Sequence, residues 1–128
     1  MGRPVVHFEI IGPDPDSLRD YYGELFGWSF ETGGQTAEGV SAPGQYGFMA
    51  AGPDSETPGI PGGIGGGAGF GNRALFYVGV PDVEAALQAA EKLGGTRLLG
   101  PVSAPGGGLV VGHFTDPQGN LVGLADVG

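Results

Sequence analysis

The sequence contains no cysteine. Disulfides and thiolate-held metals are therefore excluded, and any metal would depend on histidine or oxygen donors. Cations are almost as scarce: five Lys and Arg stand against fourteen Asp and Glu, for a net charge of −9. With no basic stripe to neutralise phosphates, nucleic acid is not an expected partner. Cationic or neutral ligands suit such a surface better, although acidity also serves solubility. Long apolar runs are missing too, so no membrane span is expected, and no basic-then-apolar leader precedes the first strand. The expectation is a soluble cytoplasmic protein.

Glycine is in excess, with 29 residues beside 11 prolines in a chain of 128. These residues cluster between patterned apolar segments, so they read as the loops of one globular domain rather than as disorder. The run that begins with "PGGIGGGAGFGN" fits G-x-G-x-x-A twice, from Gly63 to Ala68 and from Gly69 to Ala74. A phosphate loop needs a helix directly after it to offer N–H groups, and here the strand-like "ALFYVGV" follows. The stretch reads as a connection preceded by a glycine-weakened strand.

The patterned segments repeat. "VVHFEIIG" reads as a strand and "DPDSLRDYYGELFG" as a helix, with Asp14 or Asp16 as cap, Pro15 in the first turn and Gly27 as stop. Leu18, Tyr21, Tyr22, Leu25 and Phe26 give it one apolar face. "RALFYVGV" and "PDVEAALQAAEKLGG" follow the same plan 68 residues later, with Asp82 as cap and Val83, Ala86, Leu87, Ala90 and Leu93 as the face. Three β candidates follow each helix: "WSFET", "QYGFMAAG" and "PGGIGG", then "TRLLGPV", "GLVVGHFT" and "NLVGLADV". The turn "DPQGN" joins the last two. The order is βαβββ twice, and one such unit cannot bury both sides of its sheet, so the two should pack as one α+β domain. The expected limits are residues 1–66 for the first module, 67–72 for the connection and 73–128 for the second.

"HFEIIGPDPDSLRDYYGELFGW", "FYVGVPDVEAALQAAEKLGG" and "HFTDPQGNLVGLAD" together resemble the vicinal oxygen chelate superfamily of glyoxalases, bleomycin-resistance proteins and dioxygenases. The resemblance implies a cupped, barrel-like mixed sheet with the helices outside, a small-molecule cavity and, in many members, a homodimer. In the metalloenzymes it implies a divalent metal held by His, Glu or Gln from the first and fourth strands of each module. Carried over residue by residue, the first position is His7. Its counterpart is Leu75, or Phe76 if the register slips, the last is Gly123, and the fourth-strand position falls within "GIPGGIGG". Glu56 is the nearest carboxylate to that stretch. One donor among four positions does not hold a catalytic cation, so no metal or other cofactor is expected.

Strand alternation then places His7 and Glu9 on the inward face with Val5 and Ile11, and sends Val6, Phe8 and Ile10 under the helix. In the second module Leu75, Tyr77 and Gly79 face inward, as do Leu121, Gly123 and Ala125 in the last strand. His7 is the sole candidate base. Glu9 would orient it or accept a hydrogen bond from a ligand. Trp28, Tyr46, Phe48 and Tyr77 can line a cup or simply pack. His113 is either a structural histidine beside the hairpin or a ligand contact, and alternation leaves its direction open. The candidate ligand contacts are therefore His7, Glu9, Trp28, Phe48, Tyr77 and His113. Two functions are compatible with them. One is a metal-free binder of a small aromatic or cationic molecule, of the sequestration or resistance type. The other is a lyase, isomerase or dioxygenase that uses His7 as base or a metal held elsewhere.

Overall fold

The computed structural model describes residues 2–34, 36–50 and 59–127. Among them the elements run β1 (Val5–Gly12), α1 (Pro15–Phe26), β2 (Glu31–Thr32), β3 (Gly47–Met49), β4 (Gly62–Gly66), β5 (Arg73–Val80), α2 (Val83–Lys92), β6 (Thr96–Ser103), β7 (Val110–Thr115) and β8 (Leu121–Asp126). This is βαβββ twice, the α+β order that the sequence predicts. The chain divides into two compact units, residues 7–74 and residues 1–6 with 75–128. No helix among the described residues is long and apolar enough to cross a membrane.

In the first unit the strands lie in the order β2-β3-β4-β1, with β1 parallel to β4 and the other neighbours antiparallel. In the second the order is β6-β7-β8-β5, with β5 parallel to β8 and the others antiparallel. The sequence repeat is therefore also a repeat of topology. Its caps are equivalent: Asp14 Oδ1 accepts from the Ser17 N–H at 3.3 Å, and Asp82 Oδ1 from the Ala85 N–H at 3.1 Å. Asp116 closes the last hairpin by accepting from the Gln118 and Asn120 N–H groups at 2.9 and 3.0 Å.

The two helices use their apolar residues differently. In α2, Val83 and Leu87 are buried against Val80 and Leu124, with Val110 and Phe114 packed around them. Leu87 is fully buried, which stabilises the unit by about 1.5–3 kcal/mol. In α1, Tyr21, Leu25 and Phe26 are exposed, contrary to the face that periodicity suggests. The sheet below explains the difference. It offers α1 glycines among its side chains, so that Leu18 lies on Gly12 and the Arg19 stem on Gly47. The Arg19 guanidinium then donates to the carbonyls of Gln45 at 2.7 Å and Ile64 at 3.2 Å. A cation with a long stem thus takes a place expected for an apolar residue.

Val6 also departs from expectation. It packs with Leu75, Tyr77 and Ala125 rather than under α1. The cause is local: the start of β1 belongs to the second unit, where the Pro4 carbonyl accepts from the Gly79 N–H at 2.8 Å.

Strand β4, with the sequence GGIGG, is buried along its whole length. Its glycines make room for rings. Phe8 lies on Gly62 from the α1 side, and Tyr46 lies on Gly63 and Gly65 from the other. A Cβ at Gly63 would stand 2.0 Å from Tyr46 Cε1 and 2.2 Å from its hydroxyl oxygen. We expect Gly63→Ala to destabilise the protein by about 1–3 kcal/mol through overpacking. The effect should appear as a lower urea midpoint at unchanged slope. Gly71→Ala, where a Cβ meets nothing within 4 Å, should stay within about 0.5 kcal/mol of the wild type.

Candidate functional site

Along β1, alternation turns Phe8 and Gly12 toward α1 and turns His7, Glu9 and Ile11 the other way. The second face is covered by the segment 37–46, which buries Ala37, Val40, Ser41 and Tyr46. It is tied to the end of β4: Ser41 Oγ accepts from the Gly66 N–H at 2.9 Å, and the Ala42 N–H donates to the Gly66 carbonyl at 2.8 Å.

The tie brings the Tyr46 hydroxyl between the two polar residues of β1. It donates to Glu9 Oε1 at 2.9 Å and lies 3.0 Å from His7 Nε2. Glu9 and Tyr46 are each 2% exposed, while His7 is half-buried. Phe48 lies alongside, 40% exposed, its ring 4.7 Å from Tyr46 and 6.3 Å from His7. The first unit thus gathers His7, Glu9 and Phe48 on one face. Trp28 is elsewhere, on the α1 side, within 5.2 Å of Phe8, 5.7 Å of Tyr22 and 5.0 Å of Phe26. Burial holds the His7 imidazole below its ordinary pKa, which keeps it neutral at pH 7.

In the second unit the Tyr77 hydroxyl lies 2.7 Å from His113 Nε2, and each residue is 3% exposed. Tyr77, Gly123 and His113 are register partners across β5, β8 and β7. His113 therefore shares the face of Tyr77, which settles the direction that alternation left open. The neighbouring Gly112 turns to Val83 and Leu87 instead. The equivalent row in the first unit is Glu9, Gly63 and Phe48.

A divalent metal does not fit the donor set at the positions the resemblance assigns to it. His7 is a donor. Its counterpart Leu75 is buried in an apolar cluster with Tyr77 and Ala125. Register equates Gly63 with Gly123 as fourth-strand positions. Neither has a side chain, and the space above each is filled: by the Tyr46 ring over Gly63, and by the Tyr77 ring over Gly123, 2.5 Å from where a Cβ would stand. Glu56 lies outside the described residues.

A separate groove of about 550 Å³ runs along α2, lined by Ala85, Ala89, Leu93, Phe114 and Pro117. The carboxylates on its rim, Asp82 and Asp116, are engaged in backbone hydrogen bonds of a helix cap and a hairpin. Arg3 is its remaining charged lining residue, and the candidate site remains the His7 face.

Tyr46 is the residue whose part sequence reasoning missed. Alternation gave it a place among strand aromatics, but not a hydroxyl shared by His7 and Glu9. A signal was available: a buried strand made almost entirely of glycine needs a large side chain from elsewhere to fill the space above it.

Replacing Tyr46 by Phe removes the bridging hydroxyl at a buried pair, and we expect a loss of about 1–3 kcal/mol in urea unfolding. His7 also sets a pH dependence. Its folded pKa lies below the unfolded value of 6.5, so the unfolded chain binds more protons in the window just below that value. The contribution is complete above about pH 6.5 and is lost as pH falls through the depressed pKa. His7→Gln should accordingly lose less stability than the wild type between pH 7 and pH 5, measured by thermal unfolding at matched ionic strength.

Solved structures share this fold. One variant of the Streptomyces coelicolor methylmalonyl-CoA epimerase, in complex with 2-nitronate-propionyl-CoA, is 15% identical with a TM-score of 0.64, over 98% of this chain and 96% of that one. A second variant of the same epimerase, in the same complex, gives 15% identity and a TM-score of 0.65 at the same coverage. The Mn(II)-bound glyoxalase from Novosphingobium aromaticivorans is 19% identical with a TM-score of 0.54, over 99% of this chain and 40% of that one. At such identities the likeness is one of fold. No curated protein matches the sequence. Residues 5–124 do match a family as a whole, and the chain belongs to the Glyoxalase/Bleomycin resistance protein/Dioxygenase superfamily.

Proposed function

We propose that this chain is a soluble cytoplasmic protein that binds a small aromatic or cationic molecule without a metal, in the manner of a sequestering or resistance protein. One observation carries the reading: the Tyr46 ring fills the side-chain space of Gly63 while its hydroxyl engages both His7 and Glu9. In the first unit the polar groups of the face are thereby organised by a phenol rather than directed at a cation. Phe48 supplies a partly exposed ring for a flat ligand. The net charge of −9 favours positive charge on that ligand. Tyr77 and His113 are the proposed contacts of the second unit. Trp28 is not among the contacts, because it packs on the α1 side. A homodimer is the proposed assembly, to be checked by light scattering.

The similar structures include a methylmalonyl-CoA epimerase in complex with 2-nitronate-propionyl-CoA and a Mn(II)-bound glyoxalase, so an enzymatic reading stands beside the first. It is favoured by His7, a half-buried histidine held neutral with one ring nitrogen already oriented.

Elemental analysis of purified protein, followed by thermal unfolding with Ni, Zn, Mn and Fe(II), tests the metal-free reading. We expect substoichiometric metal and no metal-dependent shift. Stoichiometric metal that disappears in His7→Ala would overturn the proposal. An acridinium-type cation at a hundred times its Kd should stabilise the wild type by about 2.7 kcal/mol and His7→Ala by clearly less. A bound compound that wild type alters chemically and His7→Ala leaves unchanged, by mass spectrometry, would select the enzyme instead.

A further inference from the structure

We infer that α1 of one copy of this chain docks into the groove along α2 of a second copy, with the Tyr21–Leu25 ridge set against the alanine rows of α2. The inference rests on the homodimer proposed above and names the surfaces that form it.

Both surfaces are apolar and open to solvent. Tyr21 and Leu25 are 62% and 55% exposed; four residues apart on a helix, they form one ridge. On α2, Ala85 with Ala89 and Ala86 with Ala90 form two rows of the same spacing, and all four line the groove together with Phe114 and Pro117. A ridge of this spacing set between such rows is the commonest way for helices to pack, and alanine lets the axes approach closely. Charge selects a second copy as the occupant. Of the five cations of the chain, Arg19 is engaged by Asp16 and by carbonyls, Arg73 by the carbonyls of Gly39 and Val40, and Arg97 by Glu84 and Glu91. Arg3 and Lys92 have no such partner among the described residues. Arg3 lines the groove near the start of α2, where the neighbouring Pro4 carbonyl is held by the Gly79 N–H, and Lys92 is the last residue of α2. The ridge carries the opposite sign: Asp20 and Glu24, both exposed, occupy the row beside Tyr21 and Leu25 and form no ion pair among the described residues. Asp82 and Asp116 on the groove accept from backbone N–H groups instead. Two copies with a net charge of −9 repel at long range, so their attraction has to be local and in register, as the pairing of these cations with this acidic row is. In a two-fold pair the contact is made twice.

The test is sedimentation velocity of the full-length protein over a concentration series, with folding checked by circular dichroism. Wild type should form dimers. The double variants Asp20→Lys with Glu24→Lys, and Arg3→Glu with Lys92→Glu, should each weaken the dimer by about 100-fold, because like charges then face each other. An equimolar mixture of the two should recover dimers near wild-type affinity, since each altered helix meets its complement in the other copy. Glu31→Lys with Glu38→Lys, which has the same net charge as the first variant, should dimerise as wild type does. Dimers that persist in both charge variants overturn the inference and leave the homodimer reading standing. A wild type that stays monomeric overturns both. Two monomeric variants that do not combine on mixing overturn the pairing of α1 with α2. Should a charge variant fail to fold, Leu25→Ser and Ala89→Arg, both at exposed positions, take its place. Each should be monomeric, and dimers in both overturn the inference.

Discussion

The first unit depends on a glycine strand having rings above and below it. Strand β4 contributes backbone hydrogen bonds to β1 and β3 but almost no side chains. Phe8 from one side and Tyr46 from the other supply the volume it lacks. Interiors are packed to near-crystalline density, so neither ring is optional and no side chain can be added to the strand. The position of Tyr46 follows from this constraint, and the hydrogen bonds to Glu9 and His7 follow from the position of Tyr46. Burying Glu9 at 2% exposure is tolerable because the carboxylate meets a hydroxyl donor there.

The second unit solves the same problem with different residues. Its fourth strand carries Gly123 where the first has Gly63, and a tyrosine again lies over the glycine. That tyrosine comes from the parallel neighbour of the fourth strand, Tyr77 on β5, and its hydroxyl meets His113 of β7. A glycine, a tyrosine ring above it and a tyrosine–histidine hydrogen bond thus recur in both units. In the first unit the tyrosine hydroxyl also meets a carboxylate, that of Glu9.

The sequence made the architecture legible because the signals were local and repeated. Asp14 and Asp82 announced two helix starts, DPQGN announced a hairpin, and alternation placed His7, Glu9, Leu75 and Tyr77 on the faces they occupy. What it did not reveal depended on long-range partners. The exposed Tyr21, Leu25 and Phe26 obey helical periodicity, but only the glycines beneath α1 explain why Arg19 turns inward. The direction of His113 needed the register of β7 against β8. The bridging role of Tyr46 needed a loop to close over β4, joining residues 39 positions apart. The reading of the Gly-rich run as a weakened strand missed that its blankness is a packing requirement.

Because β4 is blank, the chemical character of the face over it is written in the segment 37–46 and not in the sheet. The hydrogen-bond ladder of β4 with its neighbours would be indifferent to which polar group the segment hangs beside His7 and Glu9. A loop tolerates substitution and changes of length far better than a paired strand. The scaffold therefore separates what must be kept for folding from what can be varied for recognition. Change in ligand preference along this lineage would be expected to accumulate at the exposed positions of this segment, such as Glu38 and Pro43, while the glycines and the Tyr46 ring stay as they are.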